Sequence, residues 1–476
     1  MTEIKKRKSM KKRIIAAFLA AAVGICSAAG CNGNGGNDVQ TQAQESQNSQ
    51  PAADTQQAAD TSENTGNAQT GEPVTTLSNP VAMTSDGDVD MEVALKYETD
   101  FDALIAQLDA KTVSEDHPVS ENTNPETLAL YQWLRSVYGK QVISAQQLSN
   151  INDKESLAYY YHTGDLPAIK GFDFIFKTTP NGDGNDWTQM AIDWHTKSNG
   201  IVYFCWHWNV PCDINDPDNN AEAFYTEGAG NPFTTFSIEN AVTPGTKEYE
   251  VAVHDIDLIA HELQRLEAAG VPVLWRPLHE ASGAWFWWGI SSKEMAEKEC
   301  YQKLWYMIYD RLENYHKLTN LIWVWNGQSS HAQVHANTYD IAGIDVYPTK
   351  EDHSVQDKSY KNLEKITAEG KMLALTECGY IPDPDELAAN IDTVKWLFFM
   401  PWNGDFIYKG STVLGIPKIN EEKMSVEFFK KAITSDTVIT WSELPDFEGT
   451  ERELPEKVTL ALPDMEVQRQ KDEAAG

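Results

Sequence analysis

The stretch "VAVHDIDLIAHELQRLEAAGVPVLWRPLHE", residues 251–280, contains the two patterns that decide the fold. Its first part repeats apolar residues at three- and four-residue spacing and ends at Gly270, which predicts an amphipathic helix closed by a glycine. Its second part is a continuous apolar run, typical of a strand that is buried on both faces. The stretch therefore predicts a helix followed by a buried strand, and that strand ends in His279 and Glu280.

Seven more apolar runs of this kind occur from about residue 140 onward. They are "KQVISAQQ", "PAIKGFDF", "GIVYFCWHW", "NLIWVWNG", "DIAGIDVYP", "KMLALTECG" and "WLFFMPWNG". Amphipathic helical patterns lie between them, so the strands should pair in parallel, and eight such units predict a (β/α)8 TIM barrel. An open doubly wound sheet is the main alternative. It usually carries a glycine-rich turn after its first strand, and "SAQQLSN" has none.

Several of these runs end in polar or aromatic side chains, where a barrel places its catalytic residues. These side chains are His207, Glu280, Asn326, Tyr347, Glu377 and Trp402. Glu280 ends the fourth run and Glu377 ends the seventh, so their carboxyl groups should face each other across the mouth of the barrel. Glycoside hydrolysis requires such a pair, one carboxyl group as proton donor and one facing the anomeric carbon.

The residues around each glutamate suggest its role. Glu280 is followed by the aromatic patch "WFWW", residues 285–288, where loss of water should raise its pKa and keep it protonated. Glu377 must stay ionised, and Arg276 and Tyr347 are the candidates to hold it so. Flat indoles can stack on sugar rings, and the candidate platforms are Trp285, Trp288 and Trp402. His207 is a further candidate site residue because it follows a strand.

Composition narrows the class of ligand. The chain has 476 residues, 41% of them hydrophobic, with fifteen tryptophans and a formal net charge of −33. Such a charge argues against nucleic acids and acidic polysaccharides, and favours a neutral substrate. There is no CxxC motif or Cys/His cluster, so we expect no metal and no cofactor. The spacing of the cysteines after the leader leaves their pairing open; these are Cys205, Cys212, Cys300 and Cys378.

The N-terminal part predicts export. Residues 1–30 combine a basic segment, a short apolar segment and small residues before Cys31, which indicates a signal peptide of the bacterial lipoprotein type. Residues 31–80 are rich in Gln, Asn, Ala, Ser and Thr, which predicts a disordered polar tether. We therefore expect a protein that is lipid-anchored to the membrane at the bacterial cell surface through Cys31, with ordinary secretion as the alternative. No later segment is apolar enough to span a membrane.

The rest of the chain divides into three further parts. Residues 81–121 form either a helix packed on the barrel or an ordered spacer, since "EVALKYETDFDALIAQLDAK" is helical in pattern. Residues 122–445 form the barrel. Residues 446–476 are charged and are expected to form a loose tail. We expect a monomer.

The motifs "WRPLHEASGAWFWWG" and "LALTECGY" together resemble glycoside hydrolase family 26, over roughly residues 122–444. The resemblance implies a retaining (β/α)8 barrel, with Glu280 as acid/base and Glu377 as nucleophile. It places His279 where related clans keep an asparagine that contacts the sugar 2-hydroxyl. It also implies residues that shape the subsite around the cleaved bond, which are His207, Arg276, Trp285, Tyr347 and Trp402.

The best-known members of that family are endo-β-1,4-mannanases, so β-mannan or a related neutral plant polysaccharide is the expected substrate. Mixed-linkage β-glucan and β-1,3-xylan remain alternatives with the same mechanism. An alternative of another class is a non-catalytic, lipid-anchored glycan-binding protein, which would explain the tether, the charge and the aromatic residues. It would not explain two glutamates on facing strands.

Overall fold

The computed structural model describes residues 79–475, apart from residue 113 and residues 180–181, 217–220, 291–294, 448 and 450–451. Its strands are β1 (Val142–Gln147), β2 (Ile169–Asp173), β3 (Ile201–Cys205), β4 (Val210–Pro211), β5 (Glu222–Ala223), β6 (Val273–Arg276), β7 (Leu321–Trp325), β8 (Ile341–Val346), β9 (Met372–Cys378), β10 (Trp396–Pro401), β11 (Tyr408–Ser411), β12 (Pro417–Ile419) and β13 (Val438–Ile439). Eight of these described strands, β1–β3 and β6–β10, pair in parallel in chain order. Strand β1 also pairs with β10, with Ile143 opposite Phe398, which closes the barrel. The predicted (β/α)8 fold is confirmed.

Helices surround the barrel. They are α1 (Met91–Ala94), α2 (Phe101–Ala110), α3 (Pro125–Val137), α4 (Lys154–Thr163), α5 (Trp187–Thr196), α6 (Ile238–Ala241), α7 (Lys247–Ala268), α8 (Met295–Asp310), α9 (Asp357–Ile366), α10 (Pro384–Asn390), α11 (Val426–Ile433) and α12 (Glu456–Ala475). Alternate strand residues such as Ile143, Ala145 and Val324 are completely buried and belong to one apolar cluster. A second and larger cluster contains residues of the helices, such as Ile256 and Leu263. The core is thus layered as a barrel requires.

The helix and strand predicted within residues 251–280 are present with shifted ends. Helix α7 begins earlier, because the Thr246 hydroxyl accepts a hydrogen bond from the backbone N–H of Tyr249 at 3.1 Å. Strand β6 ends at Arg276, so Glu280 does not end the strand as we predicted. Pro277 has no N–H for the sheet, and Leu278 and Glu280 both have left-handed backbone angles, with φ of 49° and 52°. Glu280 therefore lies in the loop that follows β6.

The segment before the barrel packs on it. Leu104 and Leu108 of α2 are buried, and the Asp100 side chain accepts from the N–H of Ala103 at its N-terminus. The carbonyl oxygens of Ala94 and Tyr97 both accept hydrogen bonds from the guanidinium of the buried Arg311. Of the two possibilities for residues 81–121, the structure shows helical packing on the barrel, although in two short helices.

The loose C-terminal tail that we expected is wrong for most of its length. Helix α12 occupies residues 456–475, and its Val458 and Met465 are completely buried. Arg469 donates to the carbonyl oxygens of Tyr160 and Tyr161 in α4. The two buried residues lie seven positions apart on one face of the helix, and the many charged residues around them hid that spacing in the sequence.

The signal peptide, Cys31 and most of the predicted tether lie outside the described residues. Within the described residues, no helix is both long enough and apolar enough to cross a membrane. The cysteines that the structure describes are free thiols, namely Cys205, Cys212, Cys300 and Cys378.

Candidate active site

Glu377 lies on β9 at the mouth of the barrel, where two donors hold its carboxylate. Arg276, the last residue of β6, donates from Nη2 to Oε1, and its side chain is fully buried. Tyr347, which follows β8, donates its hydroxyl to Oε2 at 2.5 Å. Each oxygen of Glu377 thus has its own donor, as we predicted for a carboxylate that must stay ionised and oriented.

Asp345 is a part of the site that our sequence analysis missed. Both of its carboxylate oxygens accept from Nη1 of Arg276, at 2.9 and 3.1 Å. It also accepts hydrogen bonds from Asn326 (3.0 Å), Thr376 (2.6 Å) and Gln328 (3.1 Å). Asp345 is therefore a fully hydrogen-bonded counter-ion that fixes the guanidinium between itself and Glu377.

Glu280 enters the same space from the loop after β6. Its backbone N–H donates to Oδ1 of Asn326 at 2.8 Å, which ties the loop to the end of β7. Its Oε2 accepts a hydrogen bond from the indole N–H of Trp285 at 2.9 Å. One carboxylate oxygen from each of Glu280, Asp345 and Glu377 lies within 4.8 Å of the other two. Retaining glycosidases have their two carboxyl groups about 5–5.5 Å apart, and inverting ones about 6.5–9.5 Å.

Burial raises the pKa of Glu280 well above its usual range, and the negative charges of Asp345 and Glu377 raise it further. The charge of Arg276 and the Trp285 hydrogen bond oppose this rise without cancelling it. This shift favours the protonated form of Glu280, which is the form that a general acid requires.

Burial also raises the pKa of Glu377, to about 7, with a second contribution from Asp345. The Arg276 charge and the hydrogen bond from Tyr347 lower it. Both carboxyl groups are buried, but only Glu377 has a cation in direct contact, so Glu377 loses its proton before Glu280 does. The two environments separate the pKa values of the pair in the direction that an acid and a nucleophile need.

Two predicted site histidines lie side by side. Nε2 of His207 is 3.2 Å from Nε2 of His279, and Nδ1 of His207 lies 2.5 Å from a carboxylate oxygen of Asp173. The ring of Trp402 is 5.9 Å from that of His207. Burial lowers the pKa of His279 well below its usual value, and electrostatic repulsion from the neighbouring His207 ring, when it is protonated, and from Arg276 lowers it further. The structure therefore brings His207, His279 and Trp402 together in one cluster.

The three predicted aromatic platforms have different outcomes. Trp285 is partly exposed beside Glu280, and Trp402 is 7% exposed. Trp288 is completely buried, stacks on Phe286 at 4.6 Å and donates its indole N–H to the carbonyl of His279. No face of Trp288 is free for a sugar, so our prediction for this residue was wrong. It supports the loop from inside the core.

Two of the missed residues, Asp345 and Asp173, left a signal in the sequence. Each is an acidic residue in the last positions of an otherwise apolar run, "GIDVYP" and "KGFDF". In a barrel those positions lie at the functional mouth.

Two groups among the described residues bring three ligand-type side chains together. They are Asp173, Cys205 and His207, and the acidic trio of Glu280, Asp345 and Glu377. In the first group burial raises the pKa of the Cys205 thiol well above its usual value, which disfavours the thiolate that metals bind. In the acidic trio the guanidinium of Arg276 already provides the positive charge. Neither donor set suits a cation.

Replacing Trp285 with phenylalanine should move the alkaline limb of the kcat/KM–pH profile to higher pH by about one pH unit. The indole hydrogen bond favours ionised Glu280, so its loss raises the pKa of the acid. A hydrogen bond to a charged group is worth about 1.5–3 kcal/mol, and one pKa unit is about 1.4 kcal/mol. The measurement is kcat/KM across pH, with Trp402→Phe as the matched control because Trp402 makes no bond to Glu280. An alkaline limb that stays in place would contradict this role of Trp285.

Two buried carboxyl groups lie together at the mouth of a (β/α)8 barrel, one with a strongly raised pKa and one held by a cation and a phenol, and this pair defines a barrel of the glycoside hydrolase class. The comparisons with known proteins make the family explicit. The chain belongs to glycosyl hydrolase family 26, whose sequence model matches residues 119–427.

Relatives of known name support this membership. Mannan endo-1,4-β-mannosidase B of Piromyces sp is 36% identical over 332 residues, which are 68% of this chain and 52% of that protein. A mannan endo-1,4-β-mannosidase of Thermothelomyces thermophilus is 35% identical over 328 residues, 68% of this chain and 62% of that protein. This chain thus spans about half to three fifths of these relatives.

Solved structures give the same result. A ruminal family 26 endo-β-1,4-mannanase superimposes with a TM-score of 0.60 at 30% identity, covering 71% of this chain and 72% of that one. A β-mannanase from a symbiotic protist of the termite Reticulitermes speratus, complexed with gluco-manno-oligosaccharide, has a TM-score of 0.58 at 32% identity. That match covers 70% of this chain and 99% of the other.

Proposed function

We propose that this chain is a retaining endo-β-1,4-mannanase that cleaves internal β-1,4-mannosidic bonds of mannan, glucomannan or galactomannan. The observation that carries the proposal is that one carboxyl oxygen of Glu280 and one of Glu377 lie within 4.8 Å of each other, with the pKa of Glu280 raised well above its usual range and that of Glu377 raised to about 7. This spacing leaves no room for a water molecule between an inverting base and the sugar, but it suits direct attack on the anomeric carbon.

In the first step an oxygen of Glu377 forms a bond to the anomeric carbon while the bond to the leaving sugar breaks. Glu280 gives its proton to the leaving oxygen, so no free alkoxide forms. The carboxylate loses its negative charge as it becomes an ester. Arg276 then keeps one carboxylate partner, because Asp345 accepts from its other nitrogen. Arg276 is thus never left as an unpaired buried charge.

In the second step Glu280, now ionised, removes a proton from water, and the oxygen of that water attacks the anomeric carbon. The ester bond to Glu377 breaks, and both carboxyl groups return to their initial states. Two inversions at the same carbon give net retention. The raised pKa of Glu280 suits both steps, since one group must serve as acid and then as base near neutral pH.

The substrate class is supported by three observations. The relatives and solved structures described above are named as mannanases. A net charge of −33 suits a neutral polysaccharide. Trp285 lies beside Glu280 and Trp402 lies beside His207, so each cluster has a flat aromatic neighbour of the kind that a sugar ring requires.

Proton NMR of the first product, recorded immediately after the protein is added to a β-1,4-mannan oligosaccharide, tests this function. Initial formation of the β-anomer supports a covalent intermediate on Glu377. Initial formation of the α-anomer would overturn the retaining mechanism. Parallel assays on glucomannan, mixed-linkage β-glucan and β-1,3-xylan separate the substrates, and hydrolysis of only the last two would overturn the mannan assignment. Binding without cleavage of any of them would favour the glycan-binding protein.

We further propose that the barrel is exported and anchored at the bacterial surface through a lipidated Cys31. The support is the signal-like segment 1–30 and the polar composition of residues 31–80. Replacing Cys31 with alanine should move mannanase activity from the membrane fraction to the medium, while Cys300→Ala should leave it membrane-bound. Activity that is released equally from the unmodified protein would contradict the anchor.

A further inference from the structure

Asp173, at the end of β2, is surrounded by hydrogen-bond donors at the edge of the candidate site. Its Oδ1 accepts from the backbone N–H of Ile175 at 2.9 Å and from that of His207 at 3.0 Å. Its Oδ2 lies 2.5 Å from Nδ1 of His207. The protonated thiol of Cys205 is a further neighbour. A carboxylate in such a setting acts only as an acceptor, so Nδ1 of His207 must carry a proton.

The position of the proton on His207 also determines where the proton of His279 lies. The two Nε2 atoms are 3.2 Å apart, so exactly one of them carries the proton that joins them. The other nitrogen of His279, Nδ1, is buried and has no hydrogen-bond partner. An unpartnered N–H is rarer inside proteins than an unpartnered acceptor, so the proton of neutral His279 belongs on Nε2. Nε2 of His207 is then the acceptor, which again requires its proton on Nδ1 beside Asp173.

One arrangement of protons therefore satisfies every donor in the row Asp173–His207–His279. It leaves a single imidazole nitrogen of the pair without a partner, Nδ1 of His279, and that nitrogen is an acceptor.

We propose that Asp173 is a positioning residue that selects the tautomers of both His207 and His279, and thereby holds the two imidazole rings in one arrangement beside the carboxyl pair. The proposal rests on the proposed function for its effect on catalysis. The tautomers themselves can be measured in the protein without substrate, so that part of the proposal is independent of the proposed function.

The first test uses the full chain with 15N-labelled histidine, because protonated and unprotonated imidazole nitrogens have well-separated 15N shifts. The chain has eleven histidines, and the signals of interest are assigned by their loss in His207→Gln and His279→Gln variants. We expect His207 protonated at Nδ1 only and His279 at Nε2 only at neutral pH. Any other pattern in the unmodified protein would overturn the proposal, whether or not the chain cleaves mannan.

The second test is Asp173→Asn. The amide can keep its oxygen on the two backbone N–H groups and turn its NH2 toward His207, which makes Nδ1 an acceptor and moves the proton to Nε2. His279 must then accept at Nε2 and carry its own proton at Nδ1. We expect both tautomers to reverse and kcat/KM on a β-1,4-mannan oligosaccharide to fall about 10- to 100-fold, by analogy with the loss that follows removal of the partner that orients a metal-bound histidine.

The matched control is Asp88→Asn. Asp88 also forms an aspartate–histidine contact, to Nε2 of His254 at 2.7 Å, but it lies outside the site. This variant should change neither the shifts of His207 and His279 nor kcat/KM. If Asp173→Asn reverses the tautomers and leaves kcat/KM unchanged, the effect on catalysis is overturned. If it lowers activity without moving the tautomers, Asp173 is merely structural. If Asp173→Asn lowers the midpoint of thermal unfolding but leaves both tautomers in place, Asp173 likewise has only a structural role.

Discussion

Replacing Glu377 with alanine should lower kcat on a β-mannan oligosaccharide by at least about 10⁴-fold, the order of loss seen when a covalent nucleophile is removed from an enzyme. Without the carboxylate there is no group on that side of the sugar to form the glycosyl–enzyme bond. The remaining site is intact, since Arg276 still has Asp345 as a partner. The variant should therefore fold and bind its substrate.

Adding azide to the Glu377→Ala variant tests the role of Glu377 as nucleophile directly. The anion fits the space left by the deleted carboxyl group and should attack the anomeric carbon from the same face, so an activated β-mannoside should yield the α-mannosyl azide. The measurement is rate and product configuration with and without azide. The control is Glu313→Gln, another buried glutamate with a pKa of about 7, which is bonded to Ser120 and Trp323 instead. It should show no azide effect, and a β-azide from the Glu377 variant would contradict a nucleophile at this position.

Replacing Glu280 with alanine should have an effect that depends on the leaving group. On a mannan oligosaccharide, kcat/KM should fall by about 10²–10⁴-fold, the range expected when a general acid is removed. On an aryl mannoside that leaves as a stable phenolate, the first step needs no proton, so kcat/KM should change little. The second step still needs a base, so the glycosyl–enzyme should accumulate and the phenolate should appear in a burst.

The decisive measurement is the pair of kcat/KM values together with their pH profiles. The alkaline limb, which reports the ionisation of Glu280 in the free enzyme, should disappear in the variant. An equal loss on both substrates, with no burst, would mean that Glu280 contributes through structure rather than through its proton. That outcome would also weaken the interpretation of the Trp285 hydrogen bond.

The barrel and its carboxyl pair could be predicted because both depend on periodic features of the sequence. Continuous apolar runs mark strands that are buried on both faces, and Glu377 was found because it ends one of them. Glu280 was found for the same reason, although the strand stops at Arg276 and a left-handed loop carries the glutamate to the mouth. The prediction that Glu280 ends a strand was wrong, and its role as the acid stays a prediction.

Other parts of the site depend on contacts that no pattern along the chain encodes. Asp345 belongs to the site because it accepts a hydrogen bond from Arg276, which lies on a strand two positions away in the barrel. Trp288 could not be distinguished from Trp285 by sequence, because the two lie in one aromatic run and only the packing leaves Trp285 partly exposed and Trp288 completely buried. The docking of α12 depends on the surface that α4 offers, which is equally invisible in the sequence.

The left-handed backbone of Glu280 means that the side chain required for catalysis is not the one that gives the most stable fold. A residue with a β-carbon pays about 1–2 kcal/mol to adopt that conformation, and asparagine tolerates it better than glutamate does. The fold alone would therefore favour a different side chain at this position than the one that supplies the proton. Replacing Glu280 with asparagine should raise the free energy of unfolding, which a denaturant titration measures, while it removes the proton donor. The most stable form of this barrel and its most active form thus differ at residue 280.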